Sequence, residues 1–111
     1  MDNTLILVKP HIREELDSSR ISRDLISSML DYETIVLESS LLVMNKNKYG
    51  VGRVKKTLNK LVNEGLLDTG YESGTRWYCF RRECKNHYTG EITLNEELRT
   101  QLKRFVGIYE D

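Results

Sequence analysis

Cysteine, proline and long apolar runs are scarce in this sequence. Two cysteines and one proline occur in 111 residues, which excludes a disulfide-framed or proline-rich chain. No apolar run exceeds four residues, whereas a membrane-spanning helix needs about 20. No basic leader precedes the first apolar residues, so a signal peptide is not indicated. These absences favour a cytoplasmic protein with reduced cysteines and no membrane partner.

Net charge is also absent, because 17 Lys and Arg residues balance 17 Asp and Glu residues. Taken whole, this balance disfavours a polyanionic partner. The charge is uneven along the chain, however: residues 1–44 carry −4, residues 45–88 carry +6 (ten basic against four acidic side chains) and residues 89–111 carry −2. A local excess of this kind predicts one anion-binding face. A basic stretch neutralised by acidic neighbours in the folded protein is the alternative.

Patterns typical of catalysis or metal binding are missing. The two histidines, His11 and His87, lie far apart, and neither cysteine has the surroundings of a nucleophile with its base. Cys79, Cys84 and His87 form one loose cluster that lacks the fourth ligand of structural zinc. We therefore expect no enzyme, no catalytic residue, no metal and no small-molecule cofactor.

Apolar periodicity predicts mainly helices. Pro10 is typical of a first helical turn, and Ser18 and Ser19 are typical caps for a second helix. The clearest helix covers residues 51–64. Its apolar stripe consists of Val51, Val54, Leu58, Leu61 and Val62. Its opposite face carries three cations and two amides, namely Arg53, Lys56, Asn59, Lys60 and Asn63.

The region after this helix predicts a hairpin and a terminal helix. Strand-like runs at 66–72 and 75–80 flank the dipeptide Ser73-Gly74, which is typical of a two-residue hairpin turn. Residues 93–96 match a capping box. The helix that follows has apolar positions Leu98, Leu102, Phe105, Val106 and Tyr109.

The order of these elements resembles the winged helix-turn-helix superfamily over residues 19–80. Residues 58–67 read LxxLVxEGLL, which looks like the junction between a recognition helix and its wing. Residues 92–98 resemble the entry into the terminal helix of small prokaryotic regulators. The turn at 45–50 is longer than the usual three or four residues.

The resemblance implies an α+β, mostly α fold in one compact domain. A winged helix-turn-helix core at 19–82 would follow an N-terminal extension with a short strand and helix at 1–18. Residues 83–111 would supply a loop and the C-terminal helix. The resemblance also places helix 51–64 in the DNA major groove, with the hairpin as the wing.

The same resemblance implies roles for individual residues. Arg53 is the candidate for guanine and Asn59 for adenine. The residues expected to contact phosphates or to allow close approach of the backbone are Lys46, Lys48, Gly52, Lys55, Lys56, Lys60 and Arg76. Helix pairing through Leu98, Leu102, Phe105, Val106 and Tyr109 would form a homodimer.

The resulting hypothesis is a sequence-specific double-stranded DNA-binding protein, a small dimeric transcriptional regulator. Two alternatives stay open. One is a winged-helix protein-interaction module, and the other is a DNA replication or segregation adaptor of viral or plasmid type.

Overall fold

The computed structural model describes residues 8–45, 47–83 and 93–107. Within these ranges the chain is α+β and mostly helical, as predicted. The helices are α1 Pro10–Ser18, α2 Arg20–Leu30, α3 Glu38–Asn45, α4 Val51–Asn63 and α5 Glu96–Phe105. The strands are β1 Val36–Leu37, β2 Leu67–Glu72 and β3 Thr75–Phe80, and a 3₁₀ turn, Arg81–Glu83, follows β3.

Local chemistry explains how the first two helices begin and end. Pro10 opens α1, and its fixed φ suits the first helical position. The Ser19 hydroxyl accepts a hydrogen bond from the Ser22 backbone N–H, which confirms the predicted cap of α2. Arg23 on α2 donates to two carbonyls at the end of α1. These bonds fix the angle between the two helices.

The three strands form one antiparallel sheet in the order β1-β3-β2. The predicted hairpin is confirmed, with Glu72 opposite Thr75 across the turn. Ser73 and Gly74 both have positive φ, 53° and 80°, as a type I′ turn requires. The two-residue strand β1 pairs with the edge of β3 that β2 does not occupy, so that β3 is the central strand.

Alternation along β3 sends its side chains to two faces. Tyr78 and Phe80 belong to the main hydrophobic core. Trp77 is also buried, and its indole lies over Gly70 on the paired strand. A Cβ at Gly70 would stand 2.6 Å from Cζ2 of Trp77, so this position requires glycine for space.

We expect Gly70→Ala to lower the free energy of unfolding by about 1–3 kcal/mol, because the added methyl group must displace the buried indole. Urea unfolding followed by tryptophan fluorescence would measure the loss. Gly52→Ala is the matched control, because a Cβ there meets nothing within 4 Å. Equal stability of the two variants would contradict the packing argument.

The core lies between the helices and one face of the sheet. Val54, Leu58 and Leu61 of α4 are fully buried in it. Val51, which the periodicity assigns to the same stripe, is 49% exposed, so that assignment is wrong. The cause is its position as the first residue of α4, at the end of the helix and before the residues that pack into the core.

The terminal helix α5 uses its apolar stripe within the chain. Leu98 and Leu102 are buried in the core, and Phe105 and Val106 pack against it. The buried leucines therefore leave no apolar seam at their positions for a second copy. Tyr109 lies outside the described residues. The helix begins at Glu96, and its N-cap is Asn95, whose side-chain oxygen accepts from Leu98 N–H. The predicted capping box, with Thr93 as the N-cap, is therefore wrong.

A buried ion pair joins α5 to the end of β3. Glu83 is 0% exposed and Arg99 is 5% exposed. The guanidinium donates to both Glu83 oxygens at 2.8 Å and to the Leu30 carbonyl. Glu83 also accepts from the backbone N–H of Asn95. One pair of charged groups therefore links the sheet, α2 and α5.

Candidate nucleic-acid interface

The outer face of α4 is built by the same periodicity that buries its inner face. Because Val54, Leu58 and Leu61 point inward, the residues between them face solvent. The exposed polar residues are Arg53, Lys55, Lys56, Asn59, Lys60 and Asn63. This confirms that the five residues predicted for the outer surface are exposed and adds Lys55 to them; we call the six together the α4 face.

The turn between α3 and α4 is tied to α2. The Tyr49 hydroxyl donates to Asp24 Oδ2 at 2.7 Å. Desolvation and this hydrogen bond raise the pKa of Tyr49, so the hydroxyl keeps its proton at neutral pH. The guanidinium of Arg53 lies over the Tyr49 ring, 5.7 Å from its centroid. Tyr49, a residue that sequence reasoning did not select, therefore positions Arg53.

Other predicted residues of this turn have separate placements. Lys48 is exposed and lies 3.6 Å from Asp24. Gly52 is exposed in the first turn of α4, with open space around its Cα. No described residue lies within 4 Å of the position of a Cβ at Gly52, which leaves room for an approaching molecule. Lys46 lies outside the described residues.

Arg76 links the hairpin to α4. Its Nη2 donates to Asn59 Oδ1 at 3.0 Å, and its Nε donates to Thr69 Oγ1 at 3.1 Å. The guanidinium also lies near the rings of Tyr71 and Tyr78. Since the Asn59 oxygen already accepts from Arg76, the sequence-based role of Asn59 in bidentate contact with adenine would require that bond to break.

Carboxylates from other elements neutralise part of the basic region. Glu38 of α3 lies 3.9 Å from the Lys55 amine and 3.8 Å from Nη1 of Arg76. Glu15 of α1 lies 2.6 Å from Lys60 Nζ and raises the Lys60 pKa by hydrogen bonding. With the Lys48–Asp24 pair, four candidate cations have acidic partners. The alternative interpretation, a basic segment neutralised by acidic neighbours in the folded protein, therefore holds for these four cations.

Glu38 has a third partner, the buried Tyr78. The Tyr78 hydroxyl donates to Glu38 Oε2 at 2.9 Å. Burial first, and then this hydrogen bond, raise the pKa of Tyr78, so its proton remains in place to hold the carboxylate. A single carboxylate therefore connects α3, β3 and α4.

Two cations on the α4 face lack such partners. Neither Arg53 nor Lys56 has a carboxylate within 4.0 Å among the described residues. Both are exposed and stand one helical turn apart near the start of α4. Their charges are consequently the ones directly available to an external anion.

Of the cluster Cys79, Cys84 and His87, only Cys79 lies within the described residues. Cys79 is buried on β3 and disulfide-bonded, so the expectation of reduced cysteines is wrong for this residue. Cys84 and His87 fall outside the described ranges. Over residues 8–45, 47–83 and 93–107, no group of three His, Cys, Asp or Glu side chains is arranged to hold a metal ion.

Comparison of the chain with protein-family models, with curated proteins and with solved structures gives no match. None of the helices within the described ranges combines the length and apolar character needed to cross a bilayer. The geometry of the α4 face and of the hairpin beside it is therefore what indicates a function.

Proposed function

We propose that this chain binds double-stranded DNA as a winged helix-turn-helix protein. In this proposal α4 enters the major groove and the β2–β3 hairpin is the wing. The observation that carries the proposal is the exposed pair Arg53 and Lys56, which has no acidic partner within the described ranges and lies on a helix face without carboxylates of its own. The sequence α3, turn, α4 and antiparallel hairpin is compatible with this arrangement.

The proposed contacts differ in kind. Arg53 is at the N-terminal end of α4, where a recognition helix comes nearest to base edges, and its planar fork matches the O6 and N7 acceptors of guanine. Lys56 is assigned to a phosphate because its single charged group is not directional. Stacking of Arg53 on Tyr49 restricts the guanidinium before binding.

The paired cations would exchange partners on binding. The side chains of Lys48 and Lys55 are more than half exposed and their amines lie 3.6 and 3.9 Å from their carboxylates, and such loose, exposed amines are readily screened by salt. DNA phosphates can therefore replace these two carboxylates more easily than Glu15, which is only 10% exposed and lies 2.6 Å from Lys60. Arg76 is more firmly held, by Asn59 and Thr69, and we assign it to the junction of wing and helix.

The biological setting that we propose for this activity is transcription, by a homodimer in the cytoplasm, where the disulfide of Cys79 would be an exception to the usual reduced state. Because Leu98 and Leu102 are buried within the chain, a dimer would have to use other surfaces of α5 or another element. Paired half-sites about one helical turn apart in selected DNA would reveal a two-fold assembly.

A salt titration tests DNA binding directly. We expect duplex affinity to fall steeply with salt, with a slope of log K against log[salt] of about −4.5 if five cations contact phosphates. Fluorescence anisotropy with a labelled duplex from a selected pool would measure it. Absence of binding at low salt, or a slope near zero, would contradict the proposal.

Exposed apolar side chains favour a second candidate, a protein-interaction module. Tyr32, Val43 and Met44 are 40%, 64% and 40% exposed, and the Tyr32 hydroxyl contacts Met44 Sδ at 3.6 Å. Apolar surface of this kind is typical of protein contacts. The same titration separates the candidates, because a module of this class gives no salt-dependent affinity for duplex DNA.

A further inference from the structure

A second cationic region lies at the C-terminal end of α4, around a cavity of about 170 Å³. Four parts of the chain meet there: the start of α1, the link from α4 to β2, the residues after β3, and α5. The lining residues are Lys9, Ile12, Gly65, Leu66, Arg81, Arg82 and Leu98. Neither Arg53 nor Lys56 belongs to this lining, so the cavity is separate from the start of the α4 face.

Among the residues that the structure describes, the lining has three cations and no carboxylate. Unlike the cations beside α4, Lys9, Arg81 and Arg82 make no ion pair with any described residue. The rest of the wall is apolar, because the side chains of Ile12, Leu66 and Leu98 are buried beneath it. Uncompensated positive charge next to an apolar wall is suited to a ligand with an anionic group and an apolar group.

The backbone holds this arrangement in place. Arg81 N–H donates to the Leu66 carbonyl at 3.0 Å, which fixes the end of β3 against the α4–β2 link. Gly65 has φ +91°, and Nη1 of Arg81 lies 3.5 Å from the position that a Cβ would take there. On the neighbouring side, His11 Nε2 is 3.0 Å from the Glu64 carbonyl oxygen, and this contact ties α1 to the end of α4.

We propose that this cavity binds a small organic phosphate monoester. The two guanidinium groups and the amine would hold the dianionic phosphate, which guanidinium groups recognise by charge-assisted hydrogen bonds. The apolar part would lie on Ile12, Leu66 and Leu98. The cavity is smaller than the sites of drug-sized ligands, roughly 300–1,000 Å³, so the ligand is a compact one. This site does not depend on the proposed DNA binding, and it departs from the expectation of a chain without small-molecule ligands.

Isothermal titration calorimetry with phenyl phosphate tests the site on the full chain. We expect saturable binding in the millimolar range or tighter, and a loss of at least about tenfold in affinity for the double variant Arg81→Gln with Arg82→Gln. Both side chains are exposed, so the fold should be kept, and circular dichroism would verify this. Arg104→Gln is the control, since exposed Arg104 is outside the cavity lining.

Related ligands identify which part of the probe is recognised. Phenyl phosphate should bind more tightly than benzoate, which has one charge, and more tightly than inorganic phosphate, which has no apolar group. Absence of saturation by about 10 mM phenyl phosphate would overturn the proposal. Equal affinity in the double variant and the wild type would also overturn it, and benzoate binding as tightly as phenyl phosphate would overturn the assignment of a dianion. None of these results bears on the duplex titration, so the two proposals can fail independently.

Discussion

Replacing Arg53 and Lys56 together by glutamate is expected to weaken binding to duplex DNA by at least about 100-fold. A good base contact is worth about 1–3 kcal/mol, and the second substitution removes a phosphate contact as well. The two new carboxylates would in addition repel the phosphates. Because both wild-type side chains are exposed and have no acidic partner among the described residues, the fold should be unchanged. Fluorescence anisotropy at low salt, with circular dichroism as a check, would measure the effect.

The matched control reverses the same number of charges on α5. Lys103→Glu with Arg104→Glu changes the net charge equally, but these residues lie in the last turn of α5. If DNA binding uses the α4 face, this control should lose only the small affinity that follows from overall charge. Similar losses in the two double variants would mean that binding is non-specific attraction, and the proposed interface would be wrong. Retained affinity in the α4 variant would contradict it as well.

Replacing Arg99 by methionine is expected to lower the free energy of unfolding by about 3–5 kcal/mol, because Glu83 would remain buried without its partner. Glu83 is 0% exposed, so water cannot compensate the lost hydrogen bonds. Total stabilities of single domains are roughly 5–15 kcal/mol, and the loss is a large share of that. Urea unfolding followed by circular dichroism would measure it.

A double-mutant cycle shows whether the effect belongs to the pair. With Glu83→Met added to Arg99→Met, no buried charge is left unpaired, and the double variant should be more stable than the sum of the two single losses predicts, by about 0.5–3 kcal/mol. The free energy of unfolding of Arg99→Lys should lie between those of the wild type and Arg99→Met, since lysine keeps the charge but loses the fork-shaped contact with both oxygens. Additive single effects, or a loss below about 1 kcal/mol for Arg99→Met, would contradict the buried-pair interpretation.

Elements that depend on neighbouring residues could be predicted from the sequence. Pro10 and Ser19 fix the starts of α1 and α2 through interactions within a few residues. The Ser73-Gly74 turn sets the register of its hairpin, and the spacing of Val54, Leu58 and Leu61 sets which side of α4 is exposed. These signals act over one or two turns of chain, so a single sequence contains them.

Contacts between distant segments could not be predicted in this way. Glu15 meets Lys60 and Glu38 meets Arg76 only because the helices and the sheet pack around one core. Nothing in the local sequence of Glu83 distinguishes a buried carboxylate from a solvated one, and its partner is contributed by α5. The apolar stripe of α5 likewise has the same periodicity whether it covers its own core or a second chain. Only the folded arrangement decides between these outcomes.

Glu38 has a consequence for how such a protein would search a genome. On the proposed interface, Lys55 can leave Glu38 for a phosphate, but the negative charge of Glu38 stays in place, anchored by Tyr78 and Arg76. DNA of random sequence, which offers phosphates but no base that matches Arg53, would then retain the protein only briefly. A site that also satisfies Arg53 would retain it longer. Glu38 would thus shorten the time that the protein spends bound to non-target DNA, and more of the protein would be free to find its target.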